Sequence, residues 1–102
     1  MQVKEGVVLI GLNIKMRPAL IEAEKIWKFH GRQEGVTVTS GLEGTHSAGS
    51  LHYYGRALDF RTRYFSDEEK NAVFTELREA LPVEEYDVVL EKTHIHVEYD
   101  PK

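Results

Sequence analysis

The sequence contains no cysteine, only three prolines, and fewer basic than acidic side chains, 13 against 17. The absence of cysteine excludes disulfide bonds, iron–sulfur clusters, Cys-based zinc fingers and a thiol nucleophile. A bound metal would therefore need His, Asp or Glu ligands. The formal net charge of −4 weighs against binding to nucleic acid or to an anionic membrane, because such proteins present clustered positive charge.

Long apolar runs are also missing from the sequence. The N-terminal run over residues 6–11 has six residues, which is too short for a signal-peptide core or a membrane span. We therefore expect no membrane association and a protein that is cytoplasmic as synthesised. A length of 102 residues is typical of one domain, so we predict a single domain over residues 1–102. The sequence does not define an oligomeric state.

The spacing of apolar residues predicts two helices and a small sheet. Apolar residues recur at helical spacing over residues 17–29, which predicts a first helix. A capping-box sequence beginning at Ser66 predicts a second helix that continues to Pro82. Alternating or β-branched residues predict strands over residues 36–39, 56–61, 86–90 and 94–99. We therefore predict an α+β fold, with two helices packed on a mostly antiparallel sheet of about four strands.

Four of the five histidines lie in two short stretches, His46 with His52 and His94 with His96. Because residues two apart on a strand share a face, His94 and His96 would project together, although two half-exposed polar side chains would explain this pair equally well. Asp59 lies among apolar neighbours, where a carboxylate is costly to bury unless it is paired or metal-bound. A His/Asp/His set leaves one tetrahedral position open for water, as a catalytic zinc requires.

Other polar residues near these stretches are further candidates. Glu91 precedes the His94–His96 strand and could take a proton from a metal-bound water, or be an exposed turn residue. His46 lies in a glycine-rich loop, where it could stabilise developing charge or be an ordinary loop residue. Glu98 has the strand parity of His96 and could be its hydrogen-bond partner or a substitute ligand. His30 is expected to cap the first helix.

Three arginines, Arg56, Arg61 and Arg63, flank Asp59 in the sequence. Their guanidinium groups could bind a substrate carboxylate through paired hydrogen bonds. A solvated strand edge whose charges deter aggregation would explain them equally well. The sequence leaves both interpretations open.

The segment from Ser50 to Asp59 resembles the S-x-H-x-x-G-x-A-x-D motif of the zinc D-Ala-D-Ala peptidase superfamily at every fixed position, and His94-Ile95-His96 resembles its H-x-H motif. That superfamily includes D-alanyl-D-alanine carboxypeptidases and dipeptidases, phage endolysin peptidases and the Hedgehog signalling domain. The local sequence is most similar in look to small phage-type peptidases and to the Hedgehog domain. The resemblance extends over roughly residues 36–99.

The resemblance implies one Zn²⁺ ion with three ligands, His52, Asp59 and His96. It also implies Glu91 as the general base, with His94 and His46 orienting water or stabilising the oxyanion. The implied function is hydrolysis of an amide bond in peptidoglycan stem peptides, as a D,D- or L,D-type carboxy- or endopeptidase of phage or prophage origin. Such a chain would reach the cell wall through lysis, a holin or a phage particle. The alternative is a Hedgehog-like zinc-binding module with little or no catalytic turnover.

The sequence departs from the superfamily pattern at one loop. After Thr39-Ser40-Gly41 the bacterial peptidases usually carry an aromatic residue and an Arg that binds the substrate carboxylate, whereas this chain has Leu42-Glu43. Simple D-Ala-D-Ala carboxypeptidase activity is therefore not implied, and the bond that is cut stays undefined. The Hedgehog domain has an acidic calcium cluster in this loop. A single carboxylate over residues 41–45 predicts no calcium site of that kind.

Overall fold

The computed structural model describes residues 1–43 and 50–102, with the backbone alone at Tyr53. Two α-helices, α1 (Arg17–Phe29) and α2 (Asp67–Ala80), pack on a sheet of five strands. The strands are β1 (Gln2–Val3), β2 (Thr37–Ser40), β3 (Ala57–Arg61), β4 (Tyr86–Leu90) and β5 (His94–Tyr99). They lie in the order β1-β2-β3-β5-β4, and every neighbouring pair except the parallel β1–β2 pair is antiparallel. The predicted α+β fold is confirmed, with one strand more than about four.

Strand β1 is the element that the sequence did not predict. Its pairing with β2 rests on backbone hydrogen bonds, since the Gln2 N–H donates to the Val36 carbonyl at 2.8 Å and the Lys4 N–H donates to the Val38 carbonyl at 2.9 Å. A strand of two residues has no alternation from which it could be recognised. The pairing brings Lys4 beside β2.

The two α-helices cover one face of the sheet and neither packs on the other, open face, where Ala57 is nonetheless fully buried. The residues of β3 and β5 that are fully buried against the helices are Leu58, Phe60, Ile95 and Val97. Trp27 of α1 lies on this face, with its ring centroid 5.9 Å from that of Phe60. Because successive strand residues point to opposite faces, the alternate positions of β3 and β5 lie on the uncovered side. Those positions carry the polar residues of the candidate site.

The helix ends follow the sequence signals. Ser66 and Glu69 form the predicted capping box at the start of α2, since each side chain accepts a hydrogen bond from the backbone N–H of the other residue. His30 caps α1, as predicted, and its Nε2 lies 2.7 Å from a carboxylate oxygen of Glu76, which joins α1 to α2. Within the described residues, neither helix combines the length and the apolar composition needed to cross a bilayer.

Candidate metal centre

The pairing of β3 with β5 brings Asp59 and His96 together. These two residues are direct partners in the antiparallel register, and Asp59 Oδ1 lies 2.9 Å from His96 Nδ1. The next pair on the same face is Arg61 with His94, and His94 Nε2 lies 3.8 Å from Asp59 Oδ2. Two strands thus provide one carboxylate and two imidazoles on the open face of the sheet.

His52 reaches the same place from a 3-10 helix over Leu51–Tyr54. Ser50 caps this helix because its hydroxyl oxygen accepts a hydrogen bond from the His52 N–H at 3.2 Å. Gly55 ends it with a left-handed φ of 69°, and a Cβ there would lie 2.4 Å from the carbonyl oxygen of Gly11. Two of the motif positions, Ser50 and Gly55, therefore shape the segment that presents the imidazole.

The distances within this group suit a metal ion. His52 Nε2 lies 3.5 Å from Asp59 Oδ1, and one ligand atom from each of His52, Asp59 and His96 lies within 4.8 Å of the others. Ligands that bind a tetrahedral zinc at 2.0–2.1 Å are about 3.3 Å apart, so the His52–Asp59 distance and the shorter His96–Asp59 distance lie on either side of that spacing. The three predicted ligands form a largely buried group that could hold a metal ion.

The Gly41 carbonyl fixes the tautomer of His52. Its oxygen lies 2.9 Å from His52 Nδ1, and a carbonyl oxygen can only accept a hydrogen bond. His52 Nδ1 therefore carries a hydrogen, so Nε2 is the ring nitrogen that faces Asp59: with a proton it donates to that carboxylate, and without one it offers its lone pair to a metal. A hydrogen bond from one ring nitrogen to a backbone carbonyl is the usual support of a metal-binding histidine.

His96 lies between two carboxylates. Its Nδ1 faces Asp59 and its Nε2 lies 2.7 Å from Glu98 Oε1. Because an ionised carboxylate only accepts, both ring nitrogens of His96 donate when no metal is present. The hydrogen bond to Asp59, opposed by burial and assisted by Glu98, raises the pKa of His96. Glu98 is thus the hydrogen-bond partner of His96, the first of the two roles that its strand parity allowed.

Asp59 is the common partner of the three histidines. Burial alone would raise the pKa of its carboxyl, but hydrogen bonds from His52 and His96, with the charges of His52 and His94, hold that pKa well below its usual range. The sequence expectation that Asp59 needs partners is confirmed. At neutral pH the group therefore presents an ionised carboxylate, the form that binds a cation.

Glu43 supports the loop that holds His52, a role that sequence reasoning missed. Its carboxylate accepts hydrogen bonds from the backbone N–H groups of Val8 and Gly41, at 2.8 and 2.9 Å. Burial by itself would raise the pKa of the Glu43 carboxyl. These hydrogen bonds and one from the Ser40 side chain more than offset that effect, so the pKa is lowered. Only the tertiary contact with Val8 reveals this support, because no local sequence pattern marks it.

Two predicted catalytic residues remain, and the structure describes only one of them, Glu91. Glu91 is exposed in the turn between β4 and β5, and its backbone N–H donates to the His94 carbonyl at 2.9 Å. In the described part of the chain, no hydrogen bond or ion pair joins the Glu91 carboxylate to the three candidate ligands, so its role as base stays a prediction. His46 lies outside the described residues, and its role also stays a prediction.

Comparison with known proteins does not assign the chain to a family. No protein-family model matches the chain, and no curated protein matches it. The fold and the site define an α+β domain with a candidate His–Asp–His metal centre on the open face of its sheet. The resemblance to zinc peptidases continues to rest on the motif residues.

Proposed function

We propose that this protein is a zinc-dependent peptidase that hydrolyses an amide bond in peptidoglycan stem peptides, of phage or prophage origin and delivered to the wall by lysis, a holin or a phage particle. One observation carries the proposal. The two candidate histidine ligands are each oriented through their other ring nitrogen, His52 by the Gly41 carbonyl and His96 by Glu98. This second layer of hydrogen bonds is typical of metal-binding histidines.

The donor set supports zinc and an open coordination position. Two imidazole nitrogens and one carboxylate oxygen suit zinc among the common divalent ions, and three protein ligands leave a fourth position free. When bound, zinc makes a water molecule acidic enough to attack near neutral pH and polarises the scissile carbonyl. The side chain of His94 is 31% exposed, and its Nε2 lies 3.8 Å from Asp59. A substrate therefore has access to the group.

The protein's own residues would carry the proton and stabilise charge. In this proposal Glu91 accepts the proton of the attacking water and returns it to the amine that leaves when the amide bond breaks. His94 and His46 donate hydrogen bonds to the oxygen on which negative charge develops. Asp59, His52 and His96 keep the metal in place throughout.

A second candidate function is a Hedgehog-like zinc-binding module with little or no turnover. The exposed position of Glu91, without a described bond to the candidate ligands, favours this alternative. A purely structural metal site gains nothing from a neighbouring base. The two functions therefore differ in whether Glu91 matters.

Incubation with muropeptides tests the proposal. The purified protein is loaded with zinc, its metal content is measured, and new amino termini are followed by mass spectrometry. We expect about one zinc per chain and cleavage that is lost in the His52→Ala variant and kept in the His30→Ala variant. Stoichiometric zinc without cleavage by the wild type would contradict the peptidase and support the binding module.

A further inference from the structure

A cavity of about 220 Å³ opens beside Asp59 on the uncovered face of the sheet. Three cationic side chains line it, those of Lys4, Arg61 and Arg63, together with the hydroxyl-bearing Thr39 and Thr93. Its volume is below the roughly 300–1,000 Å³ of pockets that enclose a whole small molecule. It would therefore accommodate one end of a substrate.

Among the residues that the structure describes, the three cations have no carboxylate partner. Within the described residues, none of Lys4, Arg61 and Arg63 takes part in an ion pair. Asp59 also lines the cavity, but its oxygens already face His96 and the other two imidazoles. Positive charge is thus concentrated here in a chain whose formal net charge is −4. An external anion would relieve the repulsion among the three cations.

Arg61 connects the cavity to the metal centre. It lies on β3, directly opposite His94 and on the same sheet face as Asp59. A strand in the middle of a sheet holds such a residue more rigidly than a loop does. A group bound by Arg61 therefore lies next to both His94 and Asp59. Arg56, by contrast, places its guanidinium 5.3 Å from the ring centroid of Tyr99 and does not line the cavity.

We propose that Lys4, Arg61 and Arg63 bind a carboxylate of the peptide substrate and so determine which amide bond lies at the metal centre. This inference rests on the proposed peptidase function. A guanidinium binds a carboxylate through two parallel hydrogen bonds, which fixes direction as well as position. Anchoring one end of the peptide in this way would align the neighbouring amide with the candidate metal ligands.

Binding of a stem peptide tests the subsite. The probe is the pentapeptide L-Ala-γ-D-Glu-L-Lys-D-Ala-D-Ala, titrated into the zinc-loaded full chain and followed by NMR shifts before measurable cleavage. Three further probes are amidated, one at the C-terminus, one at the D-Glu α-carboxyl and one at both positions. We expect the doubly amidated peptide to bind about tenfold more weakly or worse, and the single amides to show which carboxylate is bound.

Charge-removing variants locate the subsite. We expect Arg61→Gln to weaken binding of the unmodified pentapeptide by about tenfold and Lys4→Gln or Arg63→Gln by at least about threefold. The Arg61→Lys variant keeps the charge without the paired geometry and should fall between Arg61→Gln and wild type. Arg78→Gln removes the same charge from the exposed surface of α2, outside the cavity, and should bind like wild type. Zinc content and thermal midpoint identify any variant that fails to fold.

Two results would overturn the inference. One is equal binding of the unmodified and the doubly amidated pentapeptide. The other is an Arg61→Gln variant that folds, holds zinc and binds the pentapeptide no more weakly than Arg78→Gln does. Carboxylate-dependent binding without cleavage of any muropeptide would contradict the peptidase and still support the subsite, so the two proposals fail separately.

Discussion

The carbonyl oxygen of Gly41 lies 2.9 Å from Nδ1 of His52. Gly41 directly follows β2, and its carbonyl thereby sets which ring nitrogen of His52 faces Asp59. Gly41 is in turn held by Glu43, whose carboxylate accepts from its N–H. The orientation of His52 therefore depends on Gly41 and Glu43, two residues that are not among the three candidate ligands.

A side chain at Gly41 should disturb this arrangement. In a Gly41→Ala variant the new Cβ would lie 2.4 Å from the Val8 carbonyl oxygen, so the backbone must shift and take the carbonyl away from His52. We expect zinc affinity to fall by about tenfold or more, measured by competition with a chromogenic chelator.

The matched control is Gly31→Ala, at the end of α1. Gly31 has a φ of +94°, which strains an Ala, but its Cβ would meet no atom within 4 Å. This variant should lose stability by about 1 kcal/mol without any change in zinc affinity. If Gly41→Ala likewise lowered stability without changing zinc affinity, the proposed control of His52 by the Gly41 carbonyl would be wrong.

Removal of the charge on Glu98 should weaken the metal centre through His96. The Glu98→Gln variant keeps the size of the side chain but loses the carboxylate 2.7 Å from His96 Nε2. We expect zinc affinity to fall by about 10–100-fold, determined by isothermal titration. Asp100→Asn removes a charge from the exposed residue that follows β5 and should leave affinity nearly unchanged. Similar losses in both variants would point to general electrostatics instead of an oriented His96.

Single substitutions of the three candidate ligands should abolish stoichiometric metal binding. We expect His52→Ala, Asp59→Ala and His96→Ala to retain less than about a tenth of the wild-type zinc after dialysis, as measured by atomic emission. His30→Ala removes a histidine that pairs with Glu76 instead. That variant should keep its zinc, and equal loss of zinc in all four would refute the ligand assignment.

Substitution of Glu91 separates the two proposed functions. If Glu91 is the general base, Glu91→Gln should keep zinc and lower the rate of muropeptide cleavage by about 10²–10⁴-fold. The neighbouring Lys92→Gln variant, also exposed in the β4–β5 turn, should cleave at nearly the wild-type rate. Full turnover in Glu91→Gln would exclude this residue as the base.

The lowered pKa of Glu43 predicts a pH-dependent contribution to stability. Because the pKa is lower in the folded than in the unfolded chain, the contribution is complete above the unfolded-state value of about 4.3 and is lost as the pH falls through the folded-state value. Compared with wild type, Glu43→Gln should lower the free energy of unfolding by about 1 kcal/mol at pH 7. The difference should shrink as the pH falls below about 4.3, in urea titrations with EDTA present.

Glu5→Gln serves as the control for this pH dependence. Glu5 is an exposed carboxylate, and its substitution should change stability by less than about 0.5 kcal/mol at either pH. A Glu43→Gln effect that was constant from pH 7 to pH 3 would show that the charge of Glu43 is not what stabilises the loop.

Local patterns predicted most of the fold. The helical spacing before Phe29, the capping box at Ser66 and the alternation around Asp59 and His96 each depend on residues close together in the chain, and the structure confirms each element. β1 was missed because its two residues are defined by their bonds to β2 and not by their own pattern.

The three candidate ligands were named from the resemblance of the motif residues, and strand alternation added that His94 shares a face with His96, and Asp59 with Arg61. The antiparallel register then had to bring Asp59 opposite His96, and no local pattern encodes a register between strands so far apart. Strand alternation likewise placed Glu98 on the same face as His96, but only the structure decided that Glu98 is the hydrogen-bond partner of His96.

The sequence by itself determined both α-helices, four of the five strands and a set of metal-capable residues, since these follow from short-range periodicity and side-chain chemistry. Only the tertiary structure decided that Gly41 and Glu43 orient His52, and that Lys4 joins Arg61 and Arg63 beside Asp59. Those relationships join segments distant in the chain. They arise from strand pairing and loop packing, which depend on the whole fold.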